Sequence, residues 1–428
     1  MSELYSPKQF LSDTAHYISR YNAHPQLCHA PVPDDLRICV ILPCINEPDV
    51  ITSLESLYAC TPPSGSVEVI VLINASDASP AHVLVQNEQT FRAVEQWRNA
   101  RSDTWIHTHV ALVHGLARKH AGAGWARKLA MDEALRRFAA ASNPLGVIAS
   151  FDADAVCSTN YFTEQERLFA DEEISGCSIY FEHRLDRADY SPQHISAIQH
   201  YELHLRYLTQ AMRWANAPYA FHTVGSSMAV RVRDYIKIGG MNRRTAGEDF
   251  YFLHKIIPRG RFTDLCSATV YPSSRVSDRV PFGTGAAMRL AAEAGSADYM
   301  TYRFSSFNGI KQLFAIIDAL YACDDTSAAC RLYLDADMCR YLAENGIAEE
   351  VKHIKANCAS AGSFRIRFVE WFNAFRLIKY LNWMHDGKNE RSGVVGECAQ
   401  LLDALNIPVG NTICEMLEIY RRLDRKEF

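Results

Sequence analysis

Four short apolar runs, separated by helical stretches, constrain the fold of this chain more than any other feature. They lie at residues 37–43 (RICVILP), 67–73 (VEVIVLI), 105–112 and 145–151 (LGVIASF). Rich in β-branched residues, they read as strands, and those at 37–43, 67–73 and 145–151 as strands buried on both faces. Between them, residues 49–59, 80–98 and 125–141 place apolar side chains at helical spacing. Strand and helix in regular alternation imply a mostly parallel sheet with helices on both faces, the α/β class.

After residue 154 the pattern changes. Residues 174–181, 223–230 and 268–271 read as further strands, residues 193–215 as a long helix and 250–257 as a short one. From about residue 309 the sequence is helical throughout, punctuated by Gly346, Gly362, Gly387 and Pro408. An amphipathic helix over 7–22 precedes a connector marked by Pro25, Pro31 and Pro33, where His24 and His29 fit no pattern. The expected organisation is an N-terminal helical extension over 1–36, an α/β domain over 37–300 with halves 37–154 and 155–300, and an all-helical region over 301–428. No internal repeat or low-complexity tract is visible.

Composition excludes several classes. At 428 residues, 48% hydrophobic and 22% charged, the chain has the make-up of a soluble globular protein. A net charge of −5 with no basic block gives a nucleic-acid partner no electrostatic footing. The 13 cysteines are scattered singly with no C-x-x-C, which argues against a zinc ribbon or disulfide framework and for a reducing compartment. No stretch approaches the roughly 18 uninterrupted apolar residues of a membrane span, and the start of the chain lacks a signal-peptide core. The expectation is a cytoplasmic protein, at most peripheral to a membrane.

The chemistry concentrates where the strands end. The fourth run closes on Asp152-Ala153-Asp154, two carboxylates at i and i+2. Hard cations such as Mg²⁺ and Mn²⁺ take oxygen ligands, usually one or two carboxylates plus substrate phosphates. The carboxyl edge of an open α/β sheet is also where such folds bind ligands. The first run leads into Pro43, Asn46 and Glu47, and the second into Asn74, Ser76 and Asp77. Ahead of the helix at 125, Gly122 and Gly124 permit close backbone approach, and Arg127 and Lys128 add positive charge to a helix start that favours phosphate. Downstream come His222 to Ser227, then Gly239-Gly240, then Gly247-Glu248-Asp249 opening a helix.

Taken together, these residues resemble family 2 glycosyltransferases of the GT-A fold, over roughly residues 37–258. The matches are P-x-x-N-E (Pro43, Asn46, Glu47), the acidic and serine turn after the second strand, G-x-x-x-A-R from Gly122 to Arg127, the Asp-x-Asp, and the Gly-Gly followed by Glu-Asp. The resemblance implies a nucleotide-diphosphate sugar as donor and a hydroxyl acceptor. It places Pro43 and Glu47 by base and ribose, and Asn74 or Asp77 by the base. The family usually has an acidic residue where Asn74 stands. Gly124 and Arg127 would approach the diphosphate, and Asp154 with Asp152 would hold Mn²⁺ or Mg²⁺. Asp249 would be the general base, which predicts inversion, with Glu248 positioning base or acceptor. The family's frequent third metal ligand, a histidine after the last strand, has no counterpart. In the loop over 272–285, Arg275 and Arg279 would clamp the diphosphate, with Asp278 as a further ligand and the loop as a lid.

Two other readings fit parts of the sequence. FDADAV matches the D-x-D-x-[TV] string of haloacid-dehalogenase-like phosphatases, in which Asp152 would be the nucleophile, although that motif normally follows the first strand of its domain. A GT-A scaffold kept for binding alone is the second. His200 and His204 lie at i and i+4 but lack the H-E-x-x-H arrangement, so they read as an ordinary helix face. Asp335-Ala336-Asp337 reads as a solvated helix face. Phe368, Trp371, Phe372, Phe375, Ile378, Leu381 and Trp383 read as a core stripe. The helical C-terminal region is open to three roles: covering the acceptor, self-association, or contact with a partner such as a membrane surface.

Overall fold

The computed structural model describes residues 5–21, 24–117, 122–244, 247–277, 283–294, 299–386 and 390–428. The first half alternates as its pattern requires: α1 (Pro7–Tyr21), β1 (Leu36–Cys44), α2 (Val50–Tyr58), β2 (Ser66–Ser76), α3 (Ala81–Asn99), β3 (Ile106–Leu116), α4 (Ala123–Ala140) and β4 (Val147–Ser150). Then follow β5 (Val156–Cys157), α5 (Tyr161–Phe169), β6 (Ile174–Phe181), α6 (Pro192–Trp214), β7 (Met228–Arg231), α7 (Val232–Lys237), α8 (Glu248–Ile256) and β8 (Arg261–Tyr271). Among the described residues these strands form one eight-stranded sheet in the order 3-2-1-4-7-6-8-5. β1 pairs in parallel with β2 on one side and β4 on the other, and β7 runs antiparallel to β4 and β6. The α/β class and the helical C-terminal region are as expected.

The chain forms two compact units. The first holds residues 1–187 and 223–286, the second 188–222 and 287–428. The helix α6, which the sequence division kept within 155–300, therefore belongs to the helical unit. The N-terminal segment, divided off as 1–36, belongs to the sheet unit: Phe10, Thr14 and Tyr17 of α1 are buried, and the Tyr17 hydroxyl donates to Asp132 of α4 at 2.8 Å.

Two strands differ from their expected lengths for physical reasons. β8 begins at Arg261, seven residues before the apolar stretch that announced it, because its first half alternates half-exposed polar residues with no continuous run. β7 is only four residues long, since Val224 to Ser227 turn instead, with the Ser227 N–H donating to the Val224 carbonyl at 2.9 Å.

In the first unit the core is the sheet itself. Every residue of β2 is buried, including Glu68, whose charge is met by Arg137 and by His109 at 3.2 Å. The helix α4 lies against β1 and β2 with 13 of its 18 residues buried, so its charges are paired internally. Lys128 bonds Asp132 at 2.9 Å, and Asp132 also accepts from Tyr235 at 2.7 Å.

In the second unit α6 packs against the last helix, Ile413–Asp424. Asp424, 4% exposed, accepts from Arg206, Gln210 and His222 at 2.5, 2.7 and 2.8 Å. Burial pushes the Asp424 carboxyl up, yet His222, Arg206 and Arg213 hold it well below the usual carboxylate range. The aromatic stripe is divided between two helices, Ala361–Trp371 and Ala374–Met384. Phe368, Phe372 and Leu381 are core, whereas Phe375 is 42% exposed. Asp335 caps a helix, accepting from the Met338 N–H at 2.8 Å, so it is a helix start rather than a helix face. No helix among the described residues is long and apolar enough to cross a membrane.

Candidate active site

Strand β1 turns toward β2 on one side and is flanked by β4 on the other, so the chain leaves its carboxyl end at a topological switch point. The loop after β1 carries Asn46 and Glu47, and the turn after β4 carries Asp152 and Asp154. The Phe151 N–H donates to the Ile41 carbonyl at 3.0 Å, which extends the pairing of β4 with β1 and fixes where the two aspartates emerge.

The loop after β1 is held from behind by α3. Asn46 sits at φ +50, a left-handed conformation that asparagine tolerates better than most residues. Its N–H donates to the Asn87 side-chain oxygen at 2.8 Å, and the Asn87 amide donates to the Asn74 carbonyl at 3.1 Å. Thr90 donates to the Glu47 carbonyl at 2.7 Å. Asn87 and Thr90 thus tie the ends of β1 and β2 together, and the motif reading missed both. A signal was present: with Val83 and Val94 they form the buried face of α3, and polar side chains on a core face need partners.

Two arginines organise the carboxylates. Arg127, buried on α4, meets Asp152 at 2.5 Å, Ser150 at 3.3 Å through Nε, and Glu248 at the start of α8. Burial opposes its charge, but Asp152 and Glu248 more than restore it. Arg275, in the segment after β8, forks onto Glu47, with its NH1 2.9 Å from Oε1 and NH2 against Oε2. The same NH2 lies 2.9 Å from Asp154 Oδ2, and NH1 lies 3.7 Å from Asp49. The aspartate pair is therefore tied on one side to α8 and on the other to the loop after β1.

The glycines serve this packing. A Cβ on Gly225 would lie 2.5 Å from the Arg127 guanidinium, and one on Gly124 would lie 2.8 Å from the Glu248 Cβ. Gly124 is buried between α4 and α8. α8 opens at Gly247, whose φ of +68 suits glycine, and so begins two residues earlier than its apolar pattern suggested. Glu248 is 3% exposed and Asp249 half-buried. Burial, and then the neighbouring Glu248 carboxylate, push Asp249 up to about 6, against the lowering effect of Arg127. An acid that ionises just below neutral pH is suited to accept a proton at neutral pH.

The remaining positions are dispersed along the same edge. Pro43 is half-exposed within β1, and Asn74 is buried within β2, which runs on to Ser76 rather than ending at Ile73. Asp77 is exposed just beyond that strand. Arg279 and Asp278 lie outside the described residues. Among the described residues no group of three or more His, Cys, Asp or Glu side chains is placed to share a metal ion. His204 is held in the second unit by Thr301 at 2.8 Å and packs on Tyr299, and burial lowers it to about 3.

No model of a known protein family matches the sequence, and no curated protein matches it. Among solved structures, the chain is similar to residues 1–349 of TarS from S. aureus in complex with UDP-GlcNAc, with 16% identity, a TM-score of 0.42, and coverage of 80% of this chain and 92% of that one. It is also similar to the mannosyltransferase PcManGT from Pyrobaculum calidifontis in complex with GDP-Man and Mn²⁺, with 16% identity, a TM-score of 0.38, and coverage of 86% and 95%. Both likenesses are distant in sequence and in superposition.

Proposed function

We propose that this chain is a GT-A glycosyltransferase of the family 2 kind, moving a sugar from a nucleotide diphosphate to an acceptor hydroxyl with Mn²⁺ or Mg²⁺. The observation that carries this reading is a cluster of carboxylates at the switch point. The carboxylates Glu47, Asp49, Asp152, Asp154, Glu248 and Asp249 gather around the guanidiniums of Arg127 and Arg275. Such a site repels a bare diphosphate and favours one that arrives with a divalent cation.

The donor set suits that cation. Mg²⁺ and Mn²⁺ accept one or two carboxylates and complete their shell with phosphate oxygens and water. Asp152 and Asp154 would hold it, and when bound it would neutralise the diphosphate that departs as the glycosidic bond breaks. Asp249 would take the acceptor's hydroxyl proton, with inversion as the expected outcome. Arg127 fixes Glu248 and so the start of α8, which sets the position of Asp249. In this reading Arg127 is a strut between Asp152 and Glu248 and does not reach the donor, and Gly124 serves the packing of α8. Pro43, Asn46, Asn74 and Asp77 are assigned to the nucleoside side, and Arg275 and Arg279 to the phosphates. The phosphatase alternative requires an Asp152 oxygen to attack phosphorus, and the bond from buried Arg127 speaks for an electrostatic role instead.

A thermal-shift screen of nucleotide-sugars with Mn²⁺ tests the proposal. At least one donor should stabilise the wild-type chain and be slowly hydrolysed by it, and Asp154→Ala should abolish both effects. Absence of any shift in the wild type, or its full retention in the variant, refutes the assignment.

A further inference from the structure

The two arginines of the site differ in what they can give up. The Arg127 side chain is 7% exposed and faces a Glu248 side chain that is 4% exposed. Separating that pair would strand a charge out of water, so it is a permanent strut. The Arg275 side chain is 32% exposed and Asp154 21%, so water can take over the solvation of either.

Arg275 is also anchored unequally. Both terminal nitrogens meet Glu47, which is 1% exposed and also accepts from the Asp49 N–H at 3.2 Å. From the same guanidinium Asp154 receives NH2 and not NH1, at 2.9 Å. A divalent ion drawn to Asp154 meets the positive guanidinium 2.9 Å from Oδ2, so two like charges compete for one carboxylate.

We infer that Arg275 is a placeholder for the divalent cation: its guanidinium neutralises Asp154 until metal and diphosphate arrive together, then yields that carboxylate while keeping Glu47. This rests on the transferase reading above. Before the donor binds, the cation must settle beside a resident like charge. With the diphosphate present, the released N–H groups gain a phosphate oxygen, a partner for which guanidinium is well shaped. Metal and nucleotide diphosphate therefore bind with positive coupling, and Arg275 is the residue that supplies it.

The experiment follows Mn²⁺ binding to the full chain by the paramagnetic resonance signal of the free ion, without nucleotide and with UDP or GDP. Arg275→Gln should bind Mn²⁺ alone about tenfold more tightly than wild type or better, because a like charge a few ångströms away is gone. Adding nucleotide diphosphate should then improve Mn²⁺ binding less than it does in wild type. Arg275→Lys keeps a charge beside Glu47, but one ammonium cannot span both carboxylates, so it should show an intermediate gain and carries the test if the glutamine variant fails to fold. Asp154→Asn should weaken Mn²⁺ binding in every condition. A wild type that binds Mn²⁺ with nucleotide, while neither Arg275 variant tightens binding of Mn²⁺ alone, overturns the placeholder and leaves the transferase reading standing. A wild type that binds neither nucleotide with Mn²⁺ sinks both.

Discussion

Asp249→Asn should abolish sugar transfer and at the same time make the protein more stable at neutral pH. In the fold Asp249 ionises at about 6 rather than the ordinary 3.8, because burial and the adjacent Glu248 disfavour its charge. A carboxyl whose pKa is raised on folding leaves stability intact below the unfolded value and removes it as pH climbs through the folded value. With 1.36 kcal/mol per unit, ionised Asp249 costs the fold about 3 kcal/mol above pH 6. Asparagine has the same size and keeps an oxygen for the Phe250 N–H, which Asp249 now accepts at 2.7 Å. The variant's advantage should be absent near pH 4, grow between 4 and 6, and stay level above that. Denaturant midpoints at pH 4, 5, 6, 7 and 8, measured beside donor turnover, read both effects. Equal or lower stability at pH 8, or a gain that persists at pH 4, would refute the assignment of strain to this carboxylate.

Two further outcomes follow from other groups. Arg127→Met strands buried Glu248 and should cost about 3–5 kcal/mol in denaturation. Since Arg127 lowers the Asp249 pKa, the variant's residual donor hydrolysis should also rise with pH along a limb displaced above 6; an unmoved limb would mean that Asp249 does not set it. Mild acid should remove the stability that two buried histidines contribute, because burial lowers His204 to about 3 and His254 to about 4. A histidine kept neutral by the fold contributes stability above its unfolded value near 6.5 and loses it as pH falls, about 2 kcal/mol each by pH 5. Melting between pH 7 and 5 should show this, and substitution of each histidine by leucine should flatten the dependence.

The strands that place the site were legible because their signal is local. β1, β2 and β4 are buried on both faces, so continuous apolar runs mark them, and the residues that end them mark the sheet's active edge. β8 was half-hidden because a strand with a wet face and polar alternation gives no such run. The placement of α6 in the helical unit was not legible either. Its helical pattern is clear, but it contacts the last helix, more than 200 residues later, through Glu202, Arg206 and Gln210. Spacing along a chain carries no information about such a partner.

The candidate site divides along the same line. Glu47, Asp152, Asp154, Glu248 and Asp249 were readable as acids at strand and helix ends, since position on an α/β scaffold restricts where a carboxylate can act. What each acid is bonded to was not readable. A cation in the first turn of a helix suggests an anion ahead of it, yet the face of α4 that carries Arg127 turns inward, where the arginine spans Asp152 and Glu248. The partner is fixed by helix rotation and by the missing side chain at Gly225, and neither has a sequence signature near Arg127. The consequence bears on mechanism. In the proposed site, the buried arginine would shape the general base, and the half-exposed one would change partners. Reversing those exposures would reverse their roles, so the distribution of burial between Arg127 and Arg275, more than the identity of either residue, is what the proposed chemistry requires.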